Sequence, residues 1–322
     1  MIVGGGIAGG VNHAIEQVTE DGMERVGFVG PGLMGHGAAK HILLKDYPLA
    51  VLGHRNRVPV DDLVSRGAAE AKDLAELAAA SDVIVLFLPG AREVEALVTA
   101  LLPLSRPGMV VVDASTGLPE TTRKLGALLA EKGVGMVDAP VGRTPKEAEE
   151  GRLSSLLGGD PAVIARIRPI VECYTDTIIP CGALGSALTV KLVNNFVSFS
   201  NAVIISETFA AAAKLGADPN ALAAMIEAGG ANSVMFSWIA PWIREGDDSR
   251  GRGKLWMGQN VLETYRGMAK AAGAPTEMAD AVSRSIAAVV AAGHGERYLP
   301  TLPGIMALMA GAPIRNLDGS EL

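Results

Sequence analysis

The chain has few of the residues that build metal and disulfide sites. Among its 322 residues are only two cysteines, Cys173 and Cys181, and they do not form a Cys-x-x-Cys pair. This count excludes a disulfide scaffold and a cysteine-rich zinc site. The five histidines show none of the spacings typical of metal ligands, so we expect no metal site.

Positive charge and long apolar runs are also scarce. The chain has 28 Lys and Arg against 35 Asp and Glu, which argues against a nucleic-acid partner because such surfaces are usually basic. Its longest apolar stretch, residues 196–213, is interrupted by polar side chains, so we expect neither a transmembrane helix nor a membrane partner. The N-terminus lacks the basic segment of a secretory signal, and we therefore expect a cytoplasmic protein.

The hydrophobic pattern predicts two domains after an N-terminal extension. Short runs rich in Val, Ile and Leu predict strands at residues 25–29, 49–52, 83–88, 109–113 and 135–137. Helical patterns lie between these runs. This alternation is typical of an α/β fold with a Rossmann-type, doubly wound parallel sheet. No strand signal follows residue 185, and a long helical pattern over 187–215 opens an all-α region. We predict an extension over 1–23, an α/β domain over 24–184 and a helical domain over 185–322.

A glycine-rich turn lies between the first predicted strand and the first predicted helix. It has the Gly-x-Gly-x-x-Gly pattern and consists of Gly30, Pro31, Gly32, Leu33, Met34 and Gly35. In this context the pattern is typical of a turn that holds the pyrophosphate of a dinucleotide at a helix N-terminus. A similar pattern at residues 4–9 has only three residues before it, too few for a strand, so we do not interpret it as a flavin site.

The end of the second predicted strand bears on the choice between NAD and NADP. NAD sites usually place a carboxylate there to bind the ribose 2′-hydroxyl, but the first acid after this strand is Asp61. The intervening polar residues are His54, Arg55, Asn56 and Arg57. Guanidinium groups match the geometry of a phosphate, so we predict NADP as the cofactor, with NAD as the alternative.

The long predicted helix carries a lysine among apolar residues. Lys191 and Asn195 are four residues apart and share one helix face. A lysine in an apolar cleft has a lowered pKa and can protonate the alkoxide that develops when hydride adds to a carbonyl. A surface lysine whose stem covers apolar residues gives the same pattern, so these residues alone leave both interpretations open.

Five ordered motifs make the chain resemble the 3-hydroxyisobutyrate dehydrogenase family, also called the β-hydroxyacid dehydrogenases, over about residues 24–312. They are the glycine-rich fingerprint at 30–43, the pair Leu88-Pro89, Asp113-Ala114-Ser115-Thr116, the Asp-Ala-Pro-Val motif beginning at Asp138, and Gly182, Gly185, Lys191 and Asn195. The resemblance implies a Rossmann-type domain, a long connecting helix and a helical domain. It also implies a homodimer or homotetramer formed through that helical domain.

The resemblance further implies an activity and a site. The activity is NADP-dependent hydride transfer between nicotinamide and a short β-hydroxy acid or semialdehyde, of the 3-hydroxyisobutyrate or 2-hydroxy-3-oxopropionate type. Lys191 would be the general acid and base, Asn195 would orient the substrate, and Leu88 and Pro89 would adjoin the cofactor. The substrate carboxylate would be held by Ser115, Thr116, Gly142, Arg143 and Thr144.

Two departures from the family pattern keep alternatives open. Arg143 replaces a family glycine, and its guanidinium could bind an acidic group of the substrate or pair with Glu147. The family's Lys-Asp pair falls on Asn260 and Val261, although Lys254 is nearby in the sequence. The alternatives are an imine-reductase-like enzyme, which often lacks a lysine at the position of Lys191, and a non-catalytic NADPH-binding protein of the same fold.

Overall fold

The computed structural model describes residues 22–53, 55–251, 253–312 and 314. The predicted extension, apart from its last two residues, and His54 therefore lie outside the described residues. Contacts divide the chain into two units, Met1–Lys191 and Leu192–Leu322, and the division falls within one long helix.

A nine-stranded sheet organises the first unit. Its strands are β1 (Val26–Val29), β2 (Leu49–Leu52), β3 (Ala69–Ala71), β4 (Val83–Leu86), β5 (Val110–Asp113), β6 (Gly135–Asp138), β7 (Val141–Gly142), β8 (Leu153–Gly159) and β9 (Thr175–Gly182). Strands β1, β4 and β5 are buried at every residue, as expected when helices cover both faces of a parallel sheet. The Rossmann-type prediction is confirmed.

The strand order shows where a dinucleotide would bind on this sheet. The order is β3-β2-β1-β4-β5-β6-β8-β7, with β9 paired to β8. Strands β1 to β6 pair in parallel, whereas β8 runs antiparallel to both β6 and β7. The order reverses between β1 and β4, and in such sheets dinucleotides bind at the carboxyl ends of the strands where this reversal occurs. The glycine-rich turn follows β1, and Leu88 follows β4.

Seven helices are described between these strands: α1 (Gly35–Leu43), α2 (Val58–Ser65), α3 (Leu74–Ala79), α4 (Ala91–Leu101), α5 (Pro119–Ala130), α6 (Pro145–Glu149) and α7 (Pro161–Glu172). The helical patterns in the sequence, at residues 35–44, 72–79, 91–102 and 119–131, predict α1, α3, α4 and α5 but not the other three helices. Pro169 lies inside α7 and interrupts its helical pattern, while the Asp160 side chain caps its N-terminus. Helix α6 has only five residues, too few for a hydrophobic period.

The described part of the second unit is helical. Helix α8 (Ser186–Lys214) leads into α9 (Pro219–Ala228), α10 (Val234–Glu245), α11 (Leu255–Ala271), α12 (Glu277–Val289) and α13 (Leu302–Met309). A π-helical turn, Val290–His294, and a 3-10 turn, Leu299–Thr301, join the last two. The core of this unit includes Phe209 stacked on Phe236, with ring centroids 6.3 Å apart. The predicted helical C-terminal domain is confirmed.

Helix α8 is long and apolar. By length and composition it could cross a membrane, with a mean hydropathy of 1.4 over its most apolar window. A buried helix in the core of a soluble protein passes the same test, and one third of that window is buried. The expectation of no membrane partner therefore stays a prediction.

Candidate functional site

The glycine-rich turn is shaped by close contacts between backbone segments. Gly30 has a φ of +90°, and a Cβ there would lie 2.2 Å from the carbonyl oxygen of Phe87. A Cβ on Gly35 would lie 2.2 Å from the carbonyl oxygen of Gly30. Both positions require glycine so that the turn can leave β1 and helix α1 can pack against it.

The middle glycine has a different environment. No described atom lies within 4 Å of the point where a Cβ on Gly32 would stand. Helix α1 begins after Met34 without a side-chain cap and without an acidic residue in its first turn. Of its first N–H groups, that of His36 donates to the carbonyl oxygen of Gly32, whereas that of Gly35 has no acceptor among the described residues and is available to an anion. The space at Gly32 lets a phosphate approach the backbone. These residues fit the pyrophosphate of a dinucleotide.

A cleft of about 450 Å³ opens beside this turn. Its walls include Gly32, Leu33, Asn56 and Val58. Leu33 and Val58 are each 78 % exposed, which is unusual for large apolar side chains. Two exposed apolar groups on a cleft next to a phosphate-binding turn suit the faces of a flat heterocycle such as adenine.

The two arginines after β2 have different surroundings. Arg57 forms ion pairs with Glu70 at 2.5 Å and with Asp61 at 2.8 Å. Arg55 is exposed, and its side chain makes no ion pair or hydrogen bond within the described part of the chain. The Asn56 side chain accepts a hydrogen bond from the backbone N–H of Val58 at the start of α2. Arg55 is thus the arginine with an uncommitted guanidinium.

Ser115 connects the predicted cofactor and substrate residues. Its Oγ accepts a hydrogen bond of 2.9 Å from the backbone N–H of Leu88, and its own N–H donates to the Asp113 carboxylate. The Ser115 side chain also interacts with the Asp113 carboxylate and favours its ionised form. Pro89 next to Leu88 is exposed, and Thr116 beside Ser115 is half-buried. Asp113 is buried, and this burial raises its pKa to about 6.

Lys191, on helix α8, lies against the short strand β7. Its Nζ donates a hydrogen bond of 2.9 Å to the carbonyl oxygen of Val141, and a Cβ on Gly142 would lie 3.8 Å from the same nitrogen. No acidic side chain among the described residues forms an ion pair with it. Burial lowers the pKa of Lys191. The lysine is therefore a partly desolvated amine rather than a fully solvated surface group.

This burial predicts a pH-dependent cost to stability. Because the pKa of Lys191 is lower in the folded state, folding is penalised while the group is charged, and the penalty fades as pH rises toward the ordinary value of 10.5. We expect Lys191→Met to raise the melting temperature at pH 7, with a smaller gain at pH 9.5. Thermal unfolding at both pH values measures this, and an equal gain at both would contradict it.

The predicted substrate loop shows where Arg143 and Thr144 point. The Arg143 guanidinium lies 2.6 Å from Asp176 on β9 and also donates to the carbonyl oxygen of Arg152. Of the two alternatives for Arg143, pairing with Glu147 is not what the structure shows, because Glu147 forms a capping box with Thr144 at the start of α6. That cap engages the backbone N–H of Thr144 as well as its hydroxyl.

The remaining predicted residues are Asn195, on α8, and Lys254, at the N-cap of α11. Asn195 follows Lys191 by one turn of α8 and is half-buried. Lys254 precedes α11 and forms an ion pair with Glu296, which raises its pKa.

Sequence reasoning missed the partners that fix these side chains. Asp176 is 33 residues from Arg143, and Val141 is 50 residues from Lys191. No short motif links such positions, whereas Glu70 follows Arg57 by 13 residues across a single helix and could have been considered. Arg57 is in the loop before α2 and Glu70 is on the strand after it, so the ion pair between them could have been proposed from the sequence.

Two family models match nearly the whole described chain. Residues 25–182 match the NAD binding domain of 6-phosphogluconate dehydrogenase. Residues 185–298 match the model described as NAD-binding of NADP-dependent 3-hydroxyisobutyrate dehydrogenase.

Individual proteins resemble the chain over most of their length. It is 32 % identical to 2-(hydroxymethyl)glutarate dehydrogenase of Eubacterium barkeri, over 70 % of this chain and 76 % of that protein. It is 33 % identical to 2-hydroxy-3-oxopropionate reductase of Escherichia coli, over 61 % and 67 %. A solved 3-hydroxyisobutyrate dehydrogenase of Mycobacterium tuberculosis with L-serine has the same fold, with a TM-score of 0.79 and 24 % identity over 87 % of this chain and 98 % of that one.

Fold, phosphate-binding turn and family matches together define an NAD(P)-dependent oxidoreductase that acts on CH–OH groups. Within that class, the chain belongs to the 3-hydroxyisobutyrate dehydrogenase, or β-hydroxyacid dehydrogenase, family. The resemblance stated from its motifs is confirmed.

Proposed function

We propose that the protein transfers hydride between NADP and a short β-hydroxy acid or its semialdehyde, of the 3-hydroxyisobutyrate or 2-hydroxy-3-oxopropionate type. The observation that carries this proposal is Lys191, a desolvated lysine on α8 that contacts β7 and has no acidic partner among the described residues. Such an amine exchanges protons near neutral pH more readily than an ordinary lysine.

The proton chemistry follows from this side chain. The bound nicotinamide supplies or accepts the hydride. In the reducing direction, the Lys191 ammonium would protonate the oxygen of the former carbonyl; in the oxidising direction, the neutral amine would remove that proton. The hydrogen bond to Val141 leaves two further Nζ positions for the substrate oxygen and for the Asn195 side chain.

Support for NADP comes from Arg55. Its exposed guanidinium follows β2, where the ribose of a dinucleotide is bound in this fold, and no carboxylate neutralises it in the described part of the chain. We propose that Arg55 binds the 2′-phosphate. Arg57, held by Glu70 and Asp61, would shape the loop instead.

Support for an acid substrate comes from Ser115 and the loop beside Lys191. The Ser115 hydroxyl and the backbone of Gly142 and Arg143 are polar groups that a substrate carboxylate could meet. Relatives named for 2-(hydroxymethyl)glutarate and 2-hydroxy-3-oxopropionate also favour a short hydroxy acid. We propose that the Arg143 guanidinium stays with Asp176 and does not bind the substrate.

Arg143→Gly tests this last point. Arg143 has a φ of +78°, a strained value that glycine adopts freely, so the change should relieve roughly 1 kcal/mol and offset the loss of a half-exposed ion pair. We expect the KM for the acid substrate to change by less than about threefold and the melting temperature to stay near that of the wild type. A rise in KM of tenfold or more would show that the guanidinium binds the carboxylate.

A substrate panel tests the proposed function as a whole. NADPH and NADH oxidation would be followed with C3–C5 semialdehydes, and reduction of both cofactors with the matching β-hydroxy acids. A cyclic imine would be included. We expect turnover of at least one semialdehyde with NADPH preferred. Turnover of the imine alone would favour the imine-reductase alternative, and tight NADPH binding without any turnover would favour the non-catalytic one.

A further inference from the structure

Asp138 is a buried carboxylate that joins the sheet to the helix carrying Lys191. It is the last residue of β6 and is fully buried. One oxygen, Oδ1, accepts the backbone N–H of Gly185, and the other, Oδ2, accepts that of Leu188, both at 2.8 Å. The carboxylate thereby satisfies N–H groups at the start of α8 that have no partner within the helix.

The segment after β6 contacts α8 at a second point. Three residues beyond Asp138, the carbonyl oxygen of Val141 accepts the hydrogen bond from Lys191. Lys191 follows Leu188 by about one turn, so the two contacts fix both the start of the helix and the amine one turn later. A Cβ on Gly158 would lie 2.4 Å from Asp138 Oδ1, which shows how closely the neighbouring strand encloses this carboxylate.

We propose that Asp138 is a positioning residue that sets the location and the desolvation of the Lys191 amine by fixing the start of α8. The proposal rests on the proposed function, in which Lys191 exchanges the proton of the substrate oxygen. Asp138 itself does not contact the reacting atoms in this account.

Two opposing effects act on the pKa of Asp138. Burial raises the pKa of this carboxyl, whereas backbone N–H groups of α8 favour its ionised form, as does the positive end of the helix dipole. Both oxygens are needed, because each accepts a different N–H. An asparagine would replace one acceptor with an NH₂ group, which would then oppose a backbone N–H. Among the described residues, Asp113 is the other buried carboxyl at the carboxyl-terminal ends of these strands; it is the last residue of β5 and lies opposite Asp138.

The test compares Asp138→Asn and Asp138→Ser with Asp160→Asn. Asp160 caps α7, but a single oxygen accepts both of its N–H groups, so asparagine can keep that cap. Helix α7 carries no residue assigned to the site, which makes Asp160→Asn the matched control. Asp138→Ser keeps one short acceptor without the opposing NH₂ group and serves where Asp138→Asn folds poorly.

For a folded Asp138 variant we expect kcat to fall about tenfold while the KM for NADPH changes by less than twofold. A less constrained α8 lets water reach Lys191, so its pKa rises toward the ordinary value. In the oxidising direction, where the neutral amine is the base, the rise of kcat with pH should therefore move to higher pH. Asp160→Asn should leave kcat and the pH profile unchanged.

A kcat and pH profile like those of the wild type in Asp138→Asn and Asp138→Ser would overturn the proposal. So would a lower kcat with an unchanged profile, since general loss of structure would produce that. Lys191→Ala, measured in parallel, separates the two levels. If it retains full turnover, the proton-transfer role of Lys191 in the proposed function fails; if it is inactive while the Asp138 variants are normal, only the positioning role of Asp138 fails.

Discussion

Replacing Lys191 by alanine is expected to lower kcat by about 10²–10⁴-fold, the usual contribution of a positioned proton donor. The Nζ of Lys191 contacts Val141 on β7, and Lys191 is not among the residues that line the cleft beside Gly32. The dissociation constant for NADPH should therefore stay within about twofold of the wild-type value. Steady-state kinetics and a fluorescence titration with NADPH would measure the two quantities.

Two further variants sharpen this prediction. Lys191→Arg keeps a positive charge, but a guanidinium stays protonated and cannot act as a base, so turnover should remain low in the oxidising direction. Lys124→Ala is the matched control, because Lys124 is an exposed lysine on α5 whose contact with Glu95 is a surface ion pair. Near-normal kcat in Lys191→Ala would remove the proton-transfer role.

Replacing Arg55 by alanine is expected to raise the KM for NADPH by about 10- to 150-fold, with the KM for NADH nearly unchanged. A charge-assisted hydrogen bond of this kind contributes about 1.5–3 kcal/mol, and only NADP carries the 2′-phosphate. Arg57→Ala should have a smaller effect on the same ratio, because its guanidinium already serves Glu70 and Asp61. The double replacement should lose NADPH preference altogether.

The comparison of cofactors is the decisive part of that experiment. Arg168→Ala, an exposed arginine on α7 paired with Glu172, provides a control with the same loss of charge far along the sequence from β2. If Arg55→Ala weakened NADPH and NADH equally, the role of Arg55 in cofactor choice would be refuted. A larger effect at Arg57 than at Arg55 would reverse the assignment between the two arginines.

The parts of the fold that local patterns encode could be predicted from the sequence. The turn from Gly30 to Gly35 is recognisable as a six-residue pattern, although the closest approach at Gly30 is to Phe87, which follows β4. Apolar runs likewise identify β1, β4 and β5, since both faces of these strands are buried. Helix α7 escaped prediction because Pro169 interrupts it.

The sequence motifs could predict which residues belong to the candidate site, but not which residues those side chains contact. The motifs pointed to Lys191 and Arg143, yet neither the Val141 carbonyl nor Asp176 could be recognised as a partner. These contacts depend on how β6, β8 and β9 lie beside one another, and strands paired across long connections leave no short-range signal. The left-handed backbone of Arg143 was equally hidden, since an arginine rarely marks such a conformation.

Transfer of deuterium from [4,4-²H₂]NADPH, which carries the label on both faces of the nicotinamide ring, tests the central claim most directly. The protein would be incubated with the deuterated cofactor and each C3–C5 semialdehyde, and the products would be analysed by mass spectrometry and NMR. The account predicts a β-hydroxy acid with one deuterium on the carbinol carbon, and at least 100-fold less product with Lys191→Ala. The account would be contradicted if NADPH bound tightly but no labelled hydroxy acid formed with any semialdehyde.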